Sequence, residues 1–572
     1  MTDRTRLTVL EVAVATAVCA FLFFFGLGAF GLVGADEPRY AQIAREMLAR
    51  HDWIVPTLNG TPWLEKPIFL YWKVMASFRF LGVEDWAARL PAAFHATIMV
   101  LCIFFFVRRF RPGSELDAAL IAASSAGVIA FARAASTDML LSATFSVALL
   151  CWWTWRQNGR RLWLAIFYVL LGFGVLAKGP VAPALAVLIV AAYSLLHRDA
   201  RVFSRSLWLP GLGLFAVVVM PWYVAIQMKV PTFYRVFFIE HNLERFGTNL
   251  YRHSQPFWYY IPVFLLATLP WVCFTIPALV DAARDLWKRI RAGSGASYAE
   301  LAAAPTPLGL AAASPINNNS LSVESAAVPD DLPVFLFVWI TVPVVFFSIS
   351  RSKLPGYILP AIPPVAVLAA DYIHRRPAFS RIQVMLHSLL SGAIMAVALL
   401  VPWRLLREPV PERTRNLIAV ISGVIAVAVL LMIRKRGRRL LYLATLLPVV
   451  LAMAFLLKSA STVLDGALSE RALSAGISER MRQLGVAEHA PVAVFNVKRE
   501  VAYGLDFYRN QSVGYYEGGG PSDLSHGVPA GEHVVVAPEG SLSALEAVVA
   551  PRQVLHLGGY PPQHLEFFLV SK

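Results

Sequence analysis

Long runs of apolar residues alternate along this chain with short connectors rich in arginine. The runs lie at approximately 7–33, 88–107, 116–132, 139–155, 162–177, 181–197, 207–228, 257–280, 332–350, 355–373, 383–402, 415–433 and 440–457. Each is roughly 16 to 27 residues long, the length a helix needs to cross a bilayer, which predicts about thirteen spans within residues 1–458. The runs are continuous rather than alternating, and that excludes a porin-like barrel. The first run exceeds a signal-peptide core and lacks a small-residue cleavage site before Asp36, so it is read as a retained helix.

Three regions fall outside the runs. In the loop 34–87, Tyr40, Ile43, Ala44, Met47 and Leu48 recur at helical spacing, with Arg39, Gln42, Arg45, Glu46 and Arg50 on the other side. This predicts an amphipathic helix lying flat at the membrane surface. A second interfacial helix is expected over Pro67 to Leu81, an aromatic-rich stretch interrupted by Lys73 and Arg79. Region 292–331, rich in Ala, Ser, Pro and Asn, has too few large apolar residues for a core and is read as a flexible cytosolic loop. In the tail 459–572, short apolar runs (492–495, 534–536 and 567–570) alternate with helix-like segments such as Ala472 to Leu484, which predicts a small α/β domain.

Composition strengthens this picture. Of 572 residues 57% are hydrophobic and only 15% charged, outside the range of soluble domains. The net charge of +15 is not a nucleic-acid footprint, because the basic residues gather in alternate connectors. With the N-terminus in the cytosol, seven basic segments fall inside, from Arg4 and Arg6 to Arg434–Arg439, and an odd number of spans sends the tail outside. The external connector carrying Arg404, Arg407 and Arg413 follows the rule imperfectly. Cys19, Cys102, Cys151 and Cys273 all fall in spans, where they serve as small buried hydrophobes.

This topology sends a restricted set of polar groups to one external rim: Asp36-Glu37, Glu65-Lys66, Asp138, Lys178, the stretch Glu240 through His253, and Arg351-Ser352-Lys353. A transporter places its ionisable groups at mid-membrane and shows related halves; neither is seen here. A non-catalytic lipid exporter therefore ranks behind an enzyme. Carboxylates beside several cations at a rim suit a polyprenyl-phosphate sugar donor: cations hold the phosphate, and a carboxylate orients or deprotonates an acceptor or binds a divalent cation. No P-loop and no strand-to-helix GxGxxG turn is present, so no nucleotide is expected.

Ala35-Asp36-Glu37-Pro38-Arg39-Tyr40, Asp52-Trp53-Ile54-Val55-Pro56, Leu64-Glu65-Lys66-Pro67, Pro256-Phe257-Trp258-Tyr259-Tyr260 and Ser350-Arg351-Ser352-Lys353-Leu354-Pro355-Gly356-Tyr357 resemble blocks of bacterial lipid A aminoarabinose transferases. These belong to the GT-C glycosyltransferases, related to protein O-mannosyltransferases. The resemblance implies a polytopic α-helical membrane protein of GT-C type with a small C-terminal periplasmic α/β domain. It also implies a bacterial inner-membrane location, a monomer, an undecaprenyl-phosphate-linked donor, and lipid A or another envelope acceptor on the periplasmic side. Asp36 and Asp138 match the acidic positions, with Glu37 beside the first. Lys66, Arg39, Lys353, Tyr357 and Arg351 match donor-phosphate positions, and Glu65 with His253 resembles a pair of ligands for zinc or magnesium. An O-mannosyltransferase-like activity is the main alternative.

Each residue also has a plainer reading. Asp36 and Asp138 suit helix N-caps, Lys66 and Lys178 suit snorkelling anchors, and Tyr357 suits an interfacial belt. If the acceptor is lipid A phosphate it is already anionic and needs no strong base; a hydroxyl acceptor would make Asp36 a general base.

Overall fold

The computed structural model describes residues 3–244, 255–292, 330–516 and 527–571, apart from 407, 408, 436, 460, 486, 488 and 489. The 292–331 region falls almost wholly outside them. Among the described residues eight helices are long and apolar enough to cross a membrane, or nine if one bent pair is a single span, with shorter apolar helices at Val181–Leu196 and Phe257–Ala267. Length and apolarity thus do not reach the expected thirteen. One reason is α7 (Thr137–Asn158), long enough to span but carrying Ser142, Thr144, Ser146 and Thr154 on faces buried in the bundle. Thr144 and Thr154 donate to carbonyls one turn back, the usual way for such hydroxyls to sit in an apolar helix.

The first run forms α1 (Asp3–Cys19) and a π turn to Phe24, then gives way to irregular chain. Loop one follows as α2 (Asp36–Ala49), the two-residue strands β1 (Thr57–Leu58) and β2 (Thr61–Pro62), and α3 (Phe69–Leu81). Next come α4 (Asp85–Phe110), α5 (Glu115–Ser124), α6 (Ala126–Ala132), α7, α8 (Arg161–Lys178), α9 (Val181–Leu196), α10 (Ala200–Ser206) and α11 (Leu209–Lys229). Two expected spans are broken. Run 116–132 bends by 63° between α5 and α6, and run 257–280 divides around Pro270 into α12 (Tyr260–Ala267) and α13 (Val272–Ala292). The breaks satisfy each other: Ala126 N donates to Leu269 O at 2.9 Å, and Trp271 Nε1 to Ser124 Oγ at 2.9 Å. Backbone freed in a membrane needs such partners.

The bundle continues through α14 (Leu332–Ile349), a 3₁₀ turn at Pro355–Ala361, α15 (Ile362–His374), α16 (Arg381–Leu406), α17 (Glu412–Lys435) and α18 (Arg438–Ser459). The tail adds α19 (Ser461–Leu468), α20 (Glu470–Gln483), α21 (Arg499–Arg509) and α22 (Leu542–Val549). Its five-stranded sheet has the order β4-β3-β5-β7-β6, made from β3 (Val492–Phe495), β4 (Gly514–Tyr516), β5 (His533–Pro538), β6 (Val554–Tyr560) and β7 (Leu565–Val570). β4, β3 and β5 run parallel; β7 is antiparallel to β5 and β6.

The charged side of α2 is covered by protein. Arg39 and Gln42 are buried along with Tyr40, Ile43, Ala44 and Met47, because α21 of the C-terminal domain covers the charged side. Arg45 Nη2 donates to Asp506 O at 3.1 Å and its guanidinium lies over Phe507, while Asn59 Nδ2 donates to Asp506 Oδ2 at 3.0 Å. The domain also grips the chain just before Asp36: Gly31 N donates to Asp465 Oδ1 and Leu32 N to Tyr508 Oη, each at 2.6 Å, and Arg471 reaches Gly28 O, Ala29 O and Asp85. At the α20/α21 crossing Gly504 allows the close approach, since a Cβ there would sit 2.2 Å from Glu470 Oε2.

Two carboxyl groups at these junctions titrate unusually. Burial pushes Glu470 up to about 8, and burial, partly offset by hydrogen bonds from Val513 N and Asn59, pushes Asp506 up to about 7. A group whose pKa is raised by folding contributes stability below its unfolded value near 4, and that contribution is lost as pH climbs through 7 to 8. The melting temperature of the detergent-solubilised protein should therefore fall between about pH 5 and pH 9, and Glu470→Gln should flatten part of that slope. An unchanged slope would remove Glu470 from the account.

Candidate active site

Asp36 and Glu37 are consecutive on α2 and diverge. Glu37 turns into the protein, where Arg89 Nε and Nη2 meet its two oxygens at 3.0 and 2.6 Å. Ala135 N donates to Glu37 Oε1 at 2.6 Å and Val33 N to Oε2 at 2.8 Å. Arg89 directs its remaining donors to the carbonyls of Leu27, Phe30 and Gly31, between 2.7 and 2.9 Å. Glu37 is 6% exposed and Arg89 1%. Both oxygens of Glu37 are thus engaged inside the protein, away from the exposed rim where it was expected beside Asp36. It ties the start of α2 to the turn before α7, and so ties Asp36 to the Asp138 segment.

The Asp36 side chain is 58% exposed and accepts from Arg39 Nη2 at 2.5 Å. The helix N-cap is Ala35, with no side-chain capping bond, so the Asp36 carboxylate does not serve the backbone. Arg39, 4% exposed, also stands 3.8 Å from Glu65 Oε2. Three aromatic rings surround its guanidinium: Tyr40 at 5.2 Å, Trp63 at 4.9 Å and Tyr503 at 5.4 Å. Asp36 and Glu65 hold the Arg39 guanidinium charged against burial, and burial raises the Tyr71 phenol nearby. Lys66 Nζ lies 3.9 Å from Glu65 Oε2. Asp36, Arg39, Glu65 and Lys66 thus form one chain of alternating charge.

A second cluster forms on Asp138. Ser136 is the N-cap of α7, accepting from Asp138 N and donating to Asp138 Oδ2, both at 3.1 Å. The Asp138 carboxylate reaches Lys178, whose ammonium lies 4.6 Å from the centre of the Tyr357 ring. Lys178, expected as an anchor at a helix end, thereby joins the site. Gly356 closes against it, because a Cβ would lie 2.6 Å from Asp138 Cγ. At the same turn Lys353 is 6% exposed and bonds Ser350 O, with no carboxylate within 4 Å among the described residues. Arg351 is exposed and makes none of these contacts.

The expected metal pair falls partly outside the described residues. His253 lies outside the described residues, Glu65 already has two cations within 4 Å, and no group of three His, Cys, Asp or Glu converges among the described residues. Sequence reasoning missed Arg89, whose signal was an arginine at the head of an apolar run. It also missed Tyr503, which carries no local signal, and quoted Gly356 in a motif block without giving it a role.

Beyond Lys178 the chain turns at Pro180, which with Val175, Val219, Met220, Tyr223 and Phe233 lines an apolar cavity of about 840 Å³.

The chain is thus a multi-span helical bundle that presents paired acids and several cations on its first loop, under a small α/β domain. The model of the dolichyl-phosphate-mannose-protein mannosyltransferase family matches residues 8–237. The undecaprenyl phosphate-alpha-4-amino-4-deoxy-L-arabinose arabinosyl transferase of Edwardsiella ictaluri is 30% identical over 387 residues, 65% of this chain and 62% of that protein. Its Serratia proteamaculans counterpart is 27% identical over 505 residues, 82% of this chain and 83% of that one. The crystal structure of ArnT from Cupriavidus metallidurans bound to undecaprenyl phosphate superposes with a TM-score of 0.75 at 22% identity, covering 99% of this chain and 98% of that one. Over most of its length the chain is similar to these arabinosyl transferases, and its fold is that of ArnT.

Breaking the Glu37–Arg89 pair leaves a buried charge uncompensated, a loss of about 3–5 kcal/mol. Arg89→Met should lower thermal stability on that scale and remove activity with it. A variant melting within about 2 °C of wild type would show that the pair does not organise the loop.

Proposed function

We propose that this chain transfers a sugar, aminoarabinose or a relative of it, from undecaprenyl phosphate to lipid A phosphate or another envelope acceptor on the periplasmic side of the inner membrane, with its N-terminus in the cytosol. The observation that carries the reading is the junction of the two charged clusters through Glu37, with an apolar cavity lined by Val175 and Pro180, on either side of Lys178 in the chain. The cavity suits isoprene units, and the cations suit the phosphate at their head.

In this reading Lys353 matters most among the cations. A buried ammonium whose partner among the described residues is a carbonyl is poorly compensated, and a phosphate oxygen is the kind of group that compensates it. Lys66 and Arg39 approach from loop one. Asp36, exposed yet oriented by Arg39, faces the reacting sugar. For a phosphate acceptor it aligns groups and offsets oxocarbenium-like charge at the anomeric carbon, which inverts; for a hydroxyl acceptor it takes the proton. The mannosyltransferase family match over 8–237 favours a protein acceptor as the second reading. The same purified enzyme distinguishes the two, since one yields modified lipid and the other glycosylated peptide.

Asp36→Asn should reduce turnover with a purified polyprenyl-phosphate sugar by about 10³-fold while the protein stays folded in detergent. Near-normal turnover would remove Asp36 from the mechanism. Lys353→Met and Lys66→Ala should each weaken binding of undecaprenyl phosphate about tenfold or more, as expected for losing a charged hydrogen bond. Unchanged affinity in isothermal titration would place the phosphate elsewhere.

A further inference from the structure

The C-terminal domain covers the site, and one of its residues also reaches the reacting end of the molecule. Tyr503, on α21, is fully buried, and its ring centre lies 5.4 Å from the Arg39 guanidinium carbon. Tyr40 and Trp63, the other two rings around that guanidinium, come from loop one itself. An arginine among three rings has little freedom, and cation–π attraction at this range is strongest when the pair is shielded from water. Arg39 is in turn the cation that orients Asp36.

We propose that Tyr503 is a positioning residue for the transfer reaction, acting through Arg39 to fix the direction of the Asp36 carboxylate. The proposal rests on the assignment of Asp36 to the reaction. The docking geometry supports it independently. Asp506 and Phe507, on the same helix, are held by Arg45 and Asn59 of loop one. Behind Asp36, residues 28–32 are held by Arg471, Asp465 and Tyr508. The acid therefore sits between two anchorages supplied by the tail. Tyr503 is the point at which that framework touches the ion pair, so C-terminal docking and assembly of the acid become one event. Through Tyr503 the domain supplies the orientation of a group that meets the sugar.

The ring, not the hydroxyl, carries this role. Steady-state kinetics should be measured on purified full-length wild type, Tyr503→Phe, Tyr503→Leu and Tyr503→Met, with a polyprenyl-phosphate sugar and lipid A. Phe should keep kcat within twofold of wild type. Leu and Met should lower kcat at least tenfold, with donor KM changed by less than threefold and melting temperatures close to that of Phe. In an Arg39→Lys background, Tyr503→Leu should cost much less than it does in wild type, because the guanidinium through which it acts is gone. Wild-type kcat in the Leu and Met variants would overturn the proposal, as would Phe being as impaired as Leu, or an equal loss from Tyr503→Leu in both backgrounds. Leu and Met variants that both fail to fold would reassign the ring to packing and overturn it too. Absence of transfer by wild type would instead sink the proposed function, which the comparison of variants leaves separate.

Discussion

The buried pair of Glu37 and Arg89 is the interaction on which the site depends. Neighbouring residues on a helix point about 100° apart, so a helix starting Asp-Glu at a protein–solvent boundary can send one acid inward and the other outward. Glu37 goes inward and accepts from Arg89, Val33 and Ala135; Asp36 is left facing out. Arg89 holds three carbonyls of the irregular chain that replaces the end of the first expected span. A single ion pair therefore sets where span one ends, where α2 begins and how the Asp138 segment lies beside it. Buried ion pairs contribute little net stability and are costly to break, which suits a pair whose work is geometric.

Docking of the C-terminal domain extends the same logic. Loop one alone would expose Arg39, Gln42 and Arg45 to water, where long side chains move freely. Covered by α21, they become ordered and Arg39 acquires a third ring. The raised carboxyl groups of Glu470 and Asp506 follow from closing this interface, since burial there outweighs the charges and hydrogen bonds that favour the carboxylate. At Glu470 the cause is the close approach of α20 and α21 that Gly504 permits.

The sequence made the architecture legible because bilayers impose one period and one length. Apolar runs, basic connectors and three of the tail's five strands, at 492–495, 534–536 and 567–570, could all be read locally. Breaks in runs 116–132 and 257–280 could not be placed, since the two are joined only in the fold, where Ala126 N donates to Leu269 O and Trp271 Nε1 to Ser124 Oγ. Among the candidate site residues, motif blocks offered Asp36, Lys66 and Lys353, and the topology offered Asp138. They did not separate Asp36 from Glu37, whose roles differ by rotation about one helix, nor show that Lys178 and Asp138 pair across 40 positions. The cover on the polar side of α2 was not legible for the same reason: α21 lies more than 450 residues away in sequence.

Charge balance at the site bears on the reaction's direction. Asp36, Glu65 and Asp138 stand against Arg39, Lys66, Lys178 and Lys353, and each carboxylate already has a cation beside it. The cation left over is Lys353, whose partner among the described residues is a carbonyl. A polyprenyl-phosphate sugar is a phosphodiester with one negative charge, and the leaving polyprenyl phosphate carries nearly two at neutral pH. A surplus cation held in a buried turn gains most from its partner as that second charge develops, and stabilisation that grows along the reaction lowers the barrier rather than merely tightening ground-state binding. Tyr357, within the 3₁₀ turn that Pro355 begins, instead meets Lys178, which is already neutralised by Asp138. On the proposed function the same short segment separates two tasks: Gly356 and Tyr357 pack against the Asp138 cluster, and Lys353 answers the leaving group.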